Sequence, residues 1–304
     1  MLRETARVFQ LSDRPVPTPL NQVWINLILD RAAAAGVKVL LNGSIGNITM
    51  SYNGRDVLNQ DFRSGHWLTA IRRAIRLRRN GDSSGRDAAS LTLFSALPWP
   101  IRTRIDPLLR TFGLDYTAIR RDRADELHLV DELRRRFFLT KSHLPPQMEA
   151  GCKANQHGDF NAMTNAGWGI ERRDPSNDKR VWEFCASIPL EQFVVGDQGR
   201  SLIRRAMVGR LPDATLKRRV RGLQGADWYV SLTAIRAELD AELARIEQSP
   251  GARRLLDLDR LRSAVDRWPQ SEGAADELDI FEPTVSRAIT VGYFIRRWEE
   301  AGGK

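Results

Sequence analysis

Hydrophobic and polar positions divide this chain unequally. Asn21 to Ala35 carries Trp24, Leu27, Ile28 and Ala32 at helical spacing, opens on a side chain suited to capping and stops at Gly36. Val37, Val39, Leu40 and Leu41 then form a short apolar run, the pattern of a strand covered on both faces by helices in a parallel α/β sheet. The run ends in Asn42-Gly43-Ser44-Ile45-Gly46-Asn47. In open α/β sheets ligands bind beyond the carboxyl ends of strands, so this loop is where chemistry is sought first. Gly43 and Gly46 permit close backbone approach, and Ser44 and Asn47 can donate hydrogen bonds to phosphate oxygens. The plainer alternative is that the two glycines only punctuate a strand.

Upstream, Pro15, Pro17 and Pro19 forbid regular helix and predict that residues 1–20 form an extended lead-in. Downstream, three- and four-residue apolar intervals predict helices over Trp67 to Arg79, Asp125 to Phe138, Lys179 to Ser187, Ser201 to Val208, Tyr229 to Gln248, Ala252 to Trp268 and Pro283 to Glu299. Turn chemistry breaks the chain at 80–85, Leu144-Pro145-Pro146, 196–199 and Ser249-Pro250-Gly251. Hardly another run after Leu41 reads as a buried parallel strand, and there is no internal repeat. The expectation is an α/β portion over 1–60 and a mainly helical body over 61–304.

Charge changes this picture little. The 304 residues carry a net +9 with a pI near 10.1, but the arginines are spread over many helices, so nucleic acid is not expected and a polyanionic small molecule such as ATP suits the balance equally. No run of eighteen apolar residues or signal-peptide core occurs, so the expectation is a cytoplasmic protein with no membrane partner. Cys152 and Cys185 give neither a disulfide framework nor a zinc pattern and read as buried thiols. His66, His128, His143 and His157 lack metal-ligand spacing, and no metal ligand is assigned. Trp168, Trp182 and Trp228 read as helix packing, although Trp168 lies close enough to Glu171 to line an acceptor pocket.

Three motifs carry a family resemblance: Leu40 to Asn47; Gly169-Ile170-Glu171-Arg172-Arg173-Asp174-Pro175-Ser176-Asn177-Asp178; and Arg200-Ser201-Leu202-Ile203-Arg204, followed by Leu211-Pro212 and Arg218. In order and spacing they resemble the C-terminal synthetase domain of asparagine synthetases, most of all the asparagine synthase-related group that includes lasso-peptide cyclases and is related to β-lactam synthetases. The segment Arg221 to Trp228 fits the same group. The resemblance implies an α/β remnant of an adenine-nucleotide alpha-hydrolase-like (PP-loop ATPase) domain followed by a mainly α-helical body. It also implies an AMP-forming ligase that activates a carboxylate with ATP and Mg2+ as an acyl-adenylate, which a nitrogen nucleophile converts to an amide.

By the same resemblance, Gly43, Ser44, Gly46 and Asn47 are cofactor-binding, and Glu171 and Arg200 are catalytic. Arg200 stands where the family generally has lysine; it keeps the charge for a departing pyrophosphate but cannot give up a proton. Glu171 either orients or deprotonates the amine, or joins Arg173 and Asp178 in a structural ion-pair network. Ser44 and Asn47 replace acidic residues of the family loop, which weakens magnesium binding. The family's ATP-binding pyrophosphatase loop has no counterpart; Ser84-Gly85-Arg86-Asp87 reads as a polar turn. Residue 2 is Leu rather than the glutaminase cysteine, so no glutamine hydrolysis is expected. The expected protein is therefore a partial synthetase domain, inactive as an isolated chain. Its expected partner is a complementing N-terminal fragment or a second copy, and its substrate a small-molecule or peptide carboxylate. The alternative is a non-catalytic interaction protein that keeps the synthetase fold.

Overall fold

Leu2–Leu11 (α1) is helical in the computed structural model of the protein, which describes residues 1–12, 14–54, 56–79, 101, 104, 114, 117–132, 156–196, 198–218, 227–271 and 278–302. The extended lead-in expected over residues 1–20 is thus corrected. The prolines act only on the junction with Pro19–Ala34 (α2), whose first turn tolerates Pro19 because the absent N–H has no helical partner there. Gly36, at φ +74°, ends α2 as expected.

The order continues with Val39–Leu41 (β1), Val57–Arg63 (α3), Trp67–Arg79 (α4), Arg121–Glu126 (α5), Gln156–Trp168 (α6), Glu171–Arg173 (β2) and Lys179–Ser187 (α7). Then come Val194–Val195 (β3), Gln198–Gly199 (β4), Ser201–Ala206 (α8), Asp213–Lys217 (α9), Trp228–Ala234 (α10), Arg236–Ile246 (α11), Pro250–Leu255 (α12), Leu258–Asp266 (α13) and Leu278–Glu300 (α14). The helices expected over Tyr229 to Gln248 and Ala252 to Trp268 are each broken. In the second, the Asp257 carboxylate accepts the Arg260 N–H at 3.0 Å and caps a new helix, a bond that outcompetes helical continuation at that residue. The expected turns at 80–85 and 144–146, Cys152, His143 and most of the 221–228 segment lie outside the described residues.

The largest core joins α11, α13 and α14 through Leu239, Leu243, Ile246, Leu261, Val285 and Ile289, all fully buried. Gly292 makes this packing close: a Cβ there would stand 2.7 Å from Ile246 Cγ2. Glu242 is buried beside this core, and its carboxylate accepts bonds from Arg245 and Arg296.

β1 and β2 pair in parallel, with Val39 opposite Glu171 and Leu41 opposite Arg173. β2 escapes the hydrophobic pattern because Glu-Arg-Arg has no apolar member. The expectation that β1 is covered on both faces fails: Val39 is 41% and Leu41 66% exposed. α2 likewise buries Gln22, Asn26 and Leu29 while Trp24, Leu27 and Ile28 face outward. Polar contacts decide its orientation: Gln22 donates to Asn26, Asn26 to Glu4 of α1, and Arg7 and Trp168 both bond to Asp30. Trp168 is therefore a packing residue joining α6 to α2, with the Arg7 guanidinium 4.1 Å above its ring.

Candidate functional site

Parallel pairing places the carboxyl ends of β1 and β2 side by side, and the first two sequence motifs meet there. Asn42 continues the ladder by donating its N–H to the Arg173 carbonyl at 2.9 Å. Its side-chain oxygen accepts from Ser44 twice, from the N–H at 3.2 Å and the hydroxyl at 2.9 Å. The chain then closes into a short 3-10 turn, Ser44–Asn47. A matching 3-10 turn, Pro175–Asn177, follows β2 and packs against it. Asp174 locks the two together: one carboxylate oxygen accepts the Ile45 N–H at 2.9 Å, while the other accepts the N–H and the hydroxyl of Ser176. Thr49 completes the seam by donating to the Ile45 and Ser176 carbonyls.

The third motif is tied to the same place by packing. Tyr52, Cys185 and Phe193 form a buried cluster to which the loop side contributes Ile48 and Met50, α7 contributes Val181 and Trp182, and α8 contributes Leu202. The rings of Tyr52 and Phe193 meet edge to face at 5.3 Å. The Phe193 carbonyl accepts the Ser201 N–H, fixing the start of α8. Arg200, immediately before that helix, has φ +58° and ψ +26°, a left-handed conformation unfavourable to a side chain. Strain of this kind is kept where surrounding structure holds it, often at functional positions.

Glu171 is exposed and meets Arg173 two residues on in a two-point ion pair at 2.8 and 2.9 Å. The Arg173 guanidinium holds its carboxyl below the ordinary carboxylate range, which keeps Glu171 charged and makes it a weaker base. Asp178 does not join this pair. It accepts from the Arg180 side chain and N–H, capping α7, and these bonds pull its carboxyl down to about 2. Arg172, between them on β2, is half-buried over the Phe160 ring at 4.3 Å, and burial lowers its guanidinium from its ordinary value.

Beside the second turn lies a groove of about 740 Å³ between α7 and α8. Its lining is mainly apolar, with Met50, Val181, Phe184, Leu202 and Ile203, and Asp178 and Arg180 stand at its border. Cys185 lies in its wall as a buried thiol, and desolvation pushes its pKa up and disfavours the thiolate.

Sequence reasoning named Gly43, Ser44, Gly46, Asn47, Glu171 and Arg200. The structure sets Ser44–Asn47 against the turn that follows β2, with Gly43 just before it, and puts Glu171 on β2 itself. Arg200 stands immediately before α8, whose Ser201 bonds to Phe193 and whose Leu202 packs on the Tyr52–Phe193 cluster. Asp174, the residue that holds the two loops together, was missed. The signal was Asp-Pro-Ser, an aspartate two residues before a serine, the pattern of a side chain that accepts from the backbone just ahead of it.

The glycine turn is a poor fit to nucleotide phosphates. Three of its N–H groups are engaged: Ser44 by Asn42, Ile45 by Asp174 and Gly46 by the Gly43 carbonyl. The Asp174 carboxylate thus stands where an anion would. Among the described residues no group of three or more His, Cys, Asp or Glu is placed to hold a metal ion.

A family model, asparagine synthase, matches residues 2–281, and the chain belongs to the asparagine synthase family. That family carries out ATP-dependent amidation. No curated protein and no solved structure matches the chain.

Proposed function

We propose that this chain supplies one side of a site for ATP-dependent amide formation through an acyl-adenylate, built on an α/β remnant of the adenine-nucleotide alpha-hydrolase type. It is silent on its own. A second polypeptide segment, either a complementing fragment or another copy, adds strands beside β1 and brings the nucleotide-holding groups that the glycine turn does not offer. The observation that carries this reading is the convergence of two family motifs at the carboxyl ends of adjacent parallel strands. In the assembled site Gly43, Ser44, Gly46 and Asn47 border the nucleotide, and Arg200 meets the pyrophosphate end. Glu171, held ionised by Arg173, orients the amine rather than taking its proton. The carboxylate substrate, small molecule or peptide, takes the groove between α7 and α8.

A second reading is favoured by the outward faces of α2 and β1, where Trp24, Leu27, Ile28, Val39 and Leu41 are exposed. A non-catalytic protein that keeps the fold for docking would present such a surface. ATP–pyrophosphate exchange with aspartate and magnesium separates the readings. The chain alone shows none; exchange that appears with a strand-donating fragment, and falls about ten- to a hundredfold on Arg200→Ala, supports the ligase reading. No exchange in any complex that covers β1 supports the docking protein, and robust exchange by the chain alone overturns the proposal.

A further inference from the structure

α4 is turned the opposite way from an ordinary surface helix. Its inner side consists of small residues and one ion pair: Ala70 is fully buried, Ala74 packs against Val57, Leu58 and Val194, and Arg73 meets Asp61 at 2.5 Å. These contacts hold α4 against α3 and prevent it from rolling. Its outer side carries Trp67, Leu68, Ile71 and Ile75, which are 60%, 70%, 50% and 48% exposed. At 100° per residue these four span a continuous arc of roughly 100°. Arg72 and Arg76, both exposed, border that arc on the side away from the body. The whole helix, Trp-Leu-Thr-Ala-Ile-Arg-Arg-Ala-Ile-Arg-Leu-Arg-Arg, has five arginines and no acidic residue, so no neighbour within it neutralises the border.

We infer that the outer face of α4 docks on an anionic phospholipid surface, with Trp67, Leu68, Ile71 and Ile75 entering the headgroup boundary and Arg72 and Arg76 meeting lipid phosphates. The occupant must be apolar and negatively charged side by side, which a bilayer bearing acidic headgroups is. A second copy of the chain is disfavoured because paired α4 faces would bring their arginines together. None of the four grooves described for the protein is lined by α4. The sequence expectation of no membrane partner rested on the lack of a spanning run. Adsorption needs none, and among the described residues no helix is long and apolar enough to cross a membrane. The inference is independent of the reading of the ligase site.

The test is co-sedimentation of the whole chain with vesicles of phosphatidylcholine containing phosphatidylglycerol, against vesicles of phosphatidylcholine alone. The expected result is partition to the anionic vesicles only, reduced roughly tenfold or more by the Leu68→Glu/Ile71→Glu double variant and about fivefold by Arg72→Ala. All these side chains are exposed, so unchanged circular dichroism and thermal unfolding certify the variants as folded. Absence of partition overturns the inference. So does partition that the double glutamate variant leaves intact, since net charge alone would then explain it. Failure on vesicles combined with α4-dependent retention on an immobilised acidic amphipathic peptide would overturn it in favour of an acidic protein segment.

Discussion

Asp174 and Ile45 lie 129 positions apart in sequence, yet the carboxylate of the first accepts the backbone N–H of the second at 2.9 Å. That bond, with the two from Ser176, makes one unit of the turns that follow β1 and β2. Asp174→Ala strands the N–H of a buried residue, a loss of about 1–3 kcal/mol. Thermal unfolding should therefore fall by several degrees, and Asp174→Asn, which keeps one acceptor oxygen, should fall less.

Asp178 gives a pH signature. Its folded pKa of about 2 is depressed chiefly by the Arg180 side chain and also by the Arg180 N–H. A depressed carboxylate contributes stability that is complete above its unfolded value near 3.8 and is lost as pH falls toward 2. The α7 cap should hold at pH 4 and release between there and about pH 2. Carboxyl carbon shifts of Asp178 check this: a midpoint near the unfolded value would mean the Arg180 contacts do not form.

Arg200 offers a backbone test that side-chain contacts do not confuse. Arg200→Ala and Arg200→Gly remove the same guanidinium, but only glycine relieves the left-handed conformation. The glycine variant should be more stable than the alanine variant by about 1 kcal/mol, measured by urea unfolding. Equal stability would show that the residue is not strained.

Glu242, 3% exposed at its side chain, answers Arg296, 13% exposed, at 2.9 Å between α11 and α14. Glu242→Ala leaves that guanidinium with Glu300 as its remaining carboxylate partner and breaks its charge-assisted bonds to α11, which should cost about 1–3 kcal/mol. Replacing both residues with apolar side chains of similar volume should restore most of the loss, as buried pairs contribute little net stability.

Legibility followed apolar periodicity. Helix α7 was read to the residue from its apolar spacing, and the Asp178 cap fixes its start. β2 was illegible because its pairing depends on β1, 130 positions away, and its side chains are all charged. The apolar stripe of α2 was visible as a stripe, but its direction was not: bonds from Gln22 to Asn26 and Asn26 to Glu4, with Asp30 held by Arg7 and Trp168, turn it outward. Of the site, the glycine loop and both later motifs were visible. Asp174 was not singled out because its partners lie in two loops that only the fold brings together.

With Ser44, Ile45 and Gly46 bonded within the two turns, the glycine turn should not hold ATP by itself. Backbone amide resonances of Ser44, Ile45 and Gly46, followed while magnesium-ATP is added to the isolated chain, test it directly. The account predicts that these three shifts stay in place through millimolar nucleotide, a range of about −4 kcal/mol or weaker. Saturable movement of the Ile45 amide at micromolar ATP, with loss of the Asp174 bond, would contradict it.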